Sequence, residues 1–385
     1  MRGHDPVFRQ PGIDGETPIW FVTRYDDVVA VLLDDERFAR DPMLALSTEE
    51  RAALDAGLPE ILRHVNDHML EKDGDDHRRL RRLVTKAFTP RMVEALRPRI
   101  QAIADELLDR VEARGEMDLV EELAFPLPII VIAELLGVPA SDRDRFRVWS
   151  DAIVTPALSP DQVARFGGLM EEFVGYLRAL FDERRRAPGE DLISALVSVE
   201  EGGDTLTESE LSSMVALLVV AGHETTVSLI GNATLALLTH PEQRAELEHE
   251  PTLLPRAIEE LVRWDGPVER ALTRWATVDV ELAGQTIRRG EAVVAVLGSA
   301  DRDPARFADP DVLDLDAERD AKHVGFGRGS HYCLGAPLAR LEAEIALATL
   351  LRRLPGLRLA VPPAELRWRA VPLFRSLAAL PVAWD

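Results

Sequence analysis

Phe326-Gly327-Arg328-Gly329-Ser330-His331-Tyr332-Cys333-Leu334-Gly335 decides how the rest of this chain is read. It runs straight into Ala336-Pro337-Leu338-Ala339-Arg340-Leu341, a helical pattern, which places Cys333 at a helix N-terminus. Free backbone N–H groups and the positive end of a helix dipole stabilise a thiolate, so a cysteine there suits a metal ligand or a nucleophile. Gly325, Gly327, Gly329 and Gly335 lack a Cβ, allow unusual backbone angles and let something flat and bulky approach the sulfur. A haem plane fits that description. Other readings of a lone cysteine carry less. A small buried hydrophobe is the ordinary role, but it has no use for this loop. A cysteine hydrolase would need His331 as base, and two positions away on a Gly-rich loop it is poorly placed to share a proton. A zinc site lacks a second cysteine and paired histidine spacing.

Working outward, the next decisive stretch begins at Thr207-Glu208-Ser209-Glu210, a capping box, and runs to Pro241. The spacing predicts one helix of about 32 residues, roughly 48 Å long at 1.5 Å per residue. Met214–Val220 and Val227–Leu238 read as buried on most sides, whereas Gly222-His223-Glu224-Thr225-Thr226 interrupts them with one small and four polar residues. Elsewhere, Trp20–Val31 predicts a short strand entering a helix at Tyr25-Asp26-Asp27, and helical periodicity dominates from about Asp76 to His240. Strand signals return at Thr277–Val296, with Gly284 and Gly290 as turns, and at Leu357–Val361 and Leu377–Val382. The fold class is mainly α with small β-sheets. No repeat or Ser/Gly linker divides the sequence, so residues 1–385 read as a single domain.

Composition narrows the partners. With 45 Lys plus Arg against 67 Asp plus Glu the formal net charge is −22, which repels nucleic acid and the anionic face of a membrane. The N-terminal residues lack the apolar core of a signal peptide, and one cysteine forms no internal disulfide, so the expected compartment is the cytoplasm. Only Lys72, Lys86 and Lys322 are lysines, a skew that fits either a GC-rich genome or ion-pair networks suited to heat.

Phe326 to Gly335 resembles the F-G-x-G-x-H-x-C-x-G haem-binding signature of the cytochrome P450 family in its soluble bacterial form. The resemblance implies the cytochrome P450 fold, with a long central helix over a haem, and a haem-thiolate monooxygenase. Its cofactor would be haem b (iron protoporphyrin IX), its co-substrate O2, and Cys333 the iron ligand. By the same resemblance His331 contacts a haem propionate, and Phe326, Gly327 and Gly335 belong to the cofactor loop. Ala221-Gly222-His223-Glu224-Thr225-Thr226 looks like the family's oxygen-activation motif. Glu224 and Thr225 become the acid and alcohol that deliver protons to dioxygen, with room left for it by Ala221 and Gly222.

Glu260-Leu261-Val262-Arg263 resembles the family's E-x-x-R pair, a structural support of the pocket. Glu60-Arg63, Glu94-Arg97 and Glu183-Arg186 share the spacing, and only position along the chain selects Glu260 and Arg263. His77 and Arg81, four apart and hence on one helix face, match a family H-x-x-x-R pattern, and Arg274 matches a propionate arginine. The substrate pocket implied by the resemblance draws on residues 64–70, Leu217 to Ala221, Val268 to Thr273 with Leu272 among them, Leu373 and Phe374, most of them apolar, and predicts a small apolar substrate. Arg270 reads equally as a partner for a substrate carboxylate and as a surface charge. The family's first short helix is missing ahead of Asp5-Pro6-Val7.

No Gly-x-Gly-x-x-Gly after a strand and no Walker sequence is present, so electrons are expected from a ferredoxin or flavodoxin with its reductase. Arg78, Arg79, Arg82, Arg328 and Arg340 form the expected basic docking patch, and the protein is expected to act as a monomer. A peroxide-driven haem enzyme would not need Glu224 and Thr225. A haem sensor would keep Cys333 and have no use for the proton-delivery motif.

Overall fold

The computed structural model describes residues 2–12, 17–51, 66–154, 160–317, 319, 321–371 and 373–385. The chain divides into two compact units, neither of them a continuous segment: residues 1–46, 94–127 and 224–385 form one, and 47–93 with 128–223 the other.

Among the described residues the first unit holds every sheet. Strands β1 (Val7–Pro11), β2 (Pro18–Val22) and β3 (Phe38–Ala39) come early, β4 (Glu116–Asp118) stands alone, and β5 (Arg274–Ala276), β6 (Val280–Leu282), β7 (Gln285–Ile287), β8 (Ala292–Ala295), β9 (Arg358–Leu359) and β10 (Pro381–Ala383) come late. The largest sheet has the order β1-β2-β8-β5-β3; β4, β10 and β9 make a second, and β6 with β7 a hairpin. Within β2, Trp20 and Val22 turn into the core while Phe21 stacks on Phe8 at 5.6 Å, the two-residue alternation of a sheet with unlike faces. The strands expected between Thr277 and Val296 are β6, β7 and β8, with Gly284 (φ 80°) and Gly290 (φ 85°) at the turns. β4 was not legible, because three residues are too few to show alternation.

Helix α1 (Tyr25–Leu33) starts where Tyr25-Asp26-Asp27 predicts. Its Tyr25 N–H donates to Asp303 Oδ2 at 2.9 Å, which satisfies one of the free donors of the first turn. Also in this unit are α2 (Arg97–Asp109), the second half of α3 (Glu208–Thr239), α4 (Leu254–Asp265) and α5 (Ala336–Arg353). Leu229, Ala233 and Leu237 of α3, Ala257, Ile258 and Leu261 of α4, and Ala343 and Leu347 of α5 form one core. Each fully buried aliphatic side chain there contributes about 1.5–3 kcal/mol relative to exposure. Gln101 of α2 donates to Thr349 Oγ1 of α5 at 3.0 Å, fixing the other side of that helix.

The second unit is helical. Its helices span Gly74–Ala87, most of Pro126–Leu136, Arg143–Val154, Pro160–Arg186, Leu192–Ser198 and the first half of α3. The capping box forms as expected: Thr207 N–H donates to Glu210 Oε2 at 2.9 Å, and Glu210 N–H to Thr207 Oγ1 at 3.2 Å. α3 has the expected 32 residues. Among the described residues it is the one helix long and apolar enough to cross a membrane, but 67% of its most apolar window is buried inside the protein, as for a core helix.

Candidate active site

The cysteine loop is a compact knot ahead of α5. Cys333 N–H donates to the Phe326 carbonyl at 3.0 Å, Gly327 N–H to Val324 at 2.7 Å and Tyr332 N–H to Gly329 at 3.2 Å. Cys333 is exposed and lies three residues before the first residue of α5, with Pro337 in that helix's first turn where its missing N–H costs nothing. The glycines divide by role. A Cβ on Gly325 would stand 2.5 Å from Val262 Cγ1, and one on Gly329 2.8 Å from the Leu32 carbonyl, so these two serve close packing of the loop rather than space beside the sulfur. Gly335 alone of the four borders the thiol, its Cβ position lying 3.9 Å from Sγ.

Buried charge surrounds this loop. Asp35 accepts from Ser330 Oγ and from Arg274 Nη1, the latter at 2.9 Å. Arg274 also donates to the Phe38 carbonyl at 2.7 Å. The pairing of Phe38 with Ala276 and Ala39 with Trp275 carries on to set Arg40 opposite Arg274, and Arg40 donates to the Thr273 carbonyl. Arg40 and Arg274 are 5% and 2% exposed as residues. Two buried cations at neighbouring positions are favourable only with anions close by. An exposed sulfur in front of a helix N-terminus, with two buried guanidinium groups in the same unit, is a donor set chemically suited to an iron porphyrin with carboxylate side arms. Arg40 was missed in the sequence, where Phe38-Ala39-Arg40-Asp41 carries no motif. His331 is half-buried in the Gly329–His331 turn.

Beneath the loop, Glu260 and Arg263 form a bidentate pair at 2.7 Å for both bonds, and both are buried. Arg319, also missed, adds a second pair of bonds to Glu260 at 2.9 and 2.7 Å. Burial pushes the Glu260 carboxyl up, but the hydrogen bonds from Arg263 and Arg319 outweigh it and hold it below the usual range. Arg263 donates further to the carbonyls of Asp301, Pro310 and Val312, and Asp301 Oδ1 accepts the Val324 N–H at 2.7 Å, next to the cysteine loop. Burial pushes the Asp301 carboxyl up to about 7 against the pull of His323 and Arg263. Glu259, one residue before Glu260, takes Arg340 of α5 at 2.5 and 2.9 Å and His323 at 3.1 Å, which overcome its burial and hold it at about 2.

In the middle of α3, Leu217, Ala221 and Thr225 recur every four residues, and none of the three is fully buried. With Leu218, Val220 and Gly222, which are also only partly buried, they form an opened section of an otherwise buried helix. Gly222 does not leave room on it: a Cβ there would meet Ile132 at 3.2 Å, so its small size lets two helices of the second unit approach. His223 Nδ1 lies 3.0 Å from the Val219 carbonyl and 3.3 Å from Ser150 Oγ. Glu224, 4% exposed, receives a bond from Arg369.

Three pocket residues come together. Val268 and Phe374 form an antiparallel bridge, and Glu269 N–H donates to the Leu373 carbonyl at 3.2 Å. Leu272 is half-buried on the approach to β5. Arg270 stacks over Phe21 at 5.4 Å, a packing role for its stem and head. Residues 64 and 65 of the expected pocket segment lie outside the described residues; Met69 is buried. In the second unit His77 is buried and Arg81, one turn on, is half-buried beside a hollow of about 430 Å³ shared with Arg82, Thr85, Lys86 and Glu201.

The expected basic patch is reduced. Arg79 is spent on Glu210 and the Thr205 carbonyl, Arg340 on Glu259, and Arg328 on the Lys322 carbonyl at 2.7 Å, since nearby acids and carbonyls satisfy them internally. Arg78 and Arg82 stay more than half exposed, with exposed partners in Asp75 and Asp204.

Comparison with known proteins agrees with this architecture. The family model described as Cytochrome P450 matches residues 159–357. The cytochrome P450 monooxygenase PikC of Streptomyces venezuelae is 47% identical over 389 residues, covering 100% of this chain and 89% of PikC. Among solved structures, the bacillaene polyketide synthase cytochrome P450 PksS of Bacillus subtilis 168 superposes with a TM-score of 0.92 at 42% identity, covering 100% of this chain and 95% of that one. Myxobacterial CYP267B1, in complex with myristic acid, gives 0.92 at 47% identity, with coverage of 100% and 94%. The chain belongs to the cytochrome P450 family and is a cytochrome P450 monooxygenase.

Proposed function

We propose that this enzyme hydroxylates or epoxidises an apolar polyketide or fatty-acyl chain in the cytoplasm, with electrons from a ferredoxin or flavodoxin and its reductase. The observation that carries the reading is the exposed Cys333 ahead of α5, in a loop held from beneath by the Glu260 cluster. Cys333 would hold the iron of haem b; Arg274, Arg40, His331, His77 and Arg81 are the candidate partners of its propionates. Bound there, a haem so ligated would supply the activation of O2 for oxygen-atom insertion, the second oxygen atom leaving as water with the partner's two electrons and two protons.

The chain's own residues do the rest. Phe374, Leu373, Val268 and Leu272 would supply apolar wall, which excludes water and orients a chain by shape. Glu224, buried and paired with Arg369, and Thr225, only partly buried one residue on, are the residues we assign to pass protons along α3. The substrate class is supported by PksS, described for a bacillaene polyketide synthase, and by CYP267B1 with its myristic acid.

The test of the proton-delivery role is Thr225→Ala. Product formed per electron consumed falls and hydrogen peroxide rises, while the melting temperature stays put. Unchanged coupling removes Thr225 from the role.

A further inference from the structure

The mechanism above uses Glu224 but says nothing of its partner. Arg369 Nη1 donates to Glu224 Oε1, although 145 residues separate them. The environments of the two ends differ: the Glu224 side chain is 5% exposed and that of Arg369 39%. Arg369 is also not on a helix. It lies on a narrow hairpin near the C-terminus, where Arg369 N–H donates to the Ser376 carbonyl at 2.8 Å and Ala378 N–H to the Arg367 carbonyl at 2.8 Å. The turn of that hairpin closes with Phe374 N–H on the Val371 carbonyl at 3.3 Å. Its end carries Leu373 and Phe374, which pair with Val268 and Glu269. One short ribbon therefore has apolar pocket residues at its tip and, a few residues away, the cation that holds the buried acid.

We infer that Arg369 is a positioning residue for Glu224, and that its hairpin links contact of substrate with Phe374 to the placement of the proton-delivering carboxylate. The inference rests on the reading of Glu224 as that acid. Through its bond from Arg369, the position of the carboxylate is tied to that of the hairpin. A substrate pressing on the hairpin tip shifts the strand that bears Arg369, and the buried acid follows its counter-ion, since an unpaired carboxylate in that setting is costly. Proton delivery is then enabled when the pocket is filled, which limits loss of reducing power as peroxide.

Four variants of the full-length haem-loaded enzyme test this, with substrate of the class above: Arg369→Ala, Arg369→Lys, Phe374→Ala and Glu224→Gln. The first readout is product per electron consumed. The second is independent of turnover: the infrared carboxylate band lost in Glu224→Gln, recorded with and without substrate. Arg369→Ala should lower product per electron by about tenfold, less than the full loss of a general acid, and Arg369→Lys should recover much of it. The Glu224 band should move on adding substrate in the wild type and stand still in Phe374→Ala. If Arg369→Ala couples like the wild type and the band moves with substrate as before, while Glu224→Gln uncouples, the inference is wrong and the role of Glu224 survives. If Glu224→Gln couples normally, the reading of the acid falls and takes this inference with it.

Discussion

Two ion pairs on α4 and α3 have the same chemistry and opposite surroundings. Glu260 is held by two arginines through four hydrogen bonds of 2.7 to 2.9 Å, with its partner Arg263 1% exposed and tied to three carbonyls. Glu224 has Arg369, which is 39% exposed and sits on a hairpin. The first arrangement has no freedom: every donor has an acceptor fixed by other elements, and the cost of burying the charges is met by complete satisfaction. The second leaves one partner half in water, where a long side chain can change position at little cost. Rigid support beneath the cysteine and a movable acid on the distal helix are thus built from the same two residue types.

The contrast breaks most visibly at Arg263. Arg263→Ala leaves Glu260 buried beside one remaining arginine and frees three carbonyls, so it should cost about 3–5 kcal/mol and abolish recovery of folded, haem-loaded protein. Arg369→Ala also leaves a buried carboxylate without this arginine but frees no set of carbonyls, so it should lower the melting temperature clearly less than Arg263→Ala, and equal losses at the two positions would erase the distinction.

Asp301 sharpens the same point with pH. Its ordinary value of 3.8 is raised to about 7 by burial. Between about pH 4 and 7 the folded chain keeps a proton that the unfolded chain has lost, so its stabilising share is complete below about 4 and disappears as pH rises through 7. Asp301→Asn keeps an oxygen for the Val324 N–H without that titration. Its advantage over the wild type should grow from near zero at pH 4 to about 2–4 kcal/mol at pH 8, read as a widening gap in melting temperature. A gap independent of pH would contradict the assignment.

Glu342 on α5 offers a smaller effect of opposite kind. It is fully buried, and neither carboxylate oxygen has a hydrogen-bond partner among the described residues. Burial alone pushes its carboxyl well above the usual range. Glu342→Leu should therefore stabilise the protein by about 1–3 kcal/mol in thermal or denaturant unfolding, and destabilisation would reveal a polar partner that the fold requires.

How much of this was legible beforehand follows from the range of each signal. The Thr207–Glu210 cap and Pro241 bracket α3 through local chemistry, so its bounds could be read to within a residue or two. Cys333, Glu224 and Thr225 stand out because glycines and polar residues interrupt apolar runs. Arg319, Arg40 and Arg369 were invisible. Each acts across a long stretch of chain, Arg369 across 145 residues, and one arginine among 42 in the sequence carries no local mark. The glycines show the same limit from the other side. Their spacing was plain, but only packing against Val262, Leu32 and Ile132 tells which of them make room for the sulfur and which make room for neighbouring elements.

The claim on which all else depends is that Cys333 binds haem iron as a thiolate, and the absorption spectrum of the dithionite-reduced protein under carbon monoxide tests it most directly. The wild type should show the strongly red-shifted Soret band of thiolate ligation, and Cys333→Ala should lose it while keeping its fold by circular dichroism. A band at the position of histidine-ligated haem in the wild type, or well-folded protein that takes up no haem, would contradict the account.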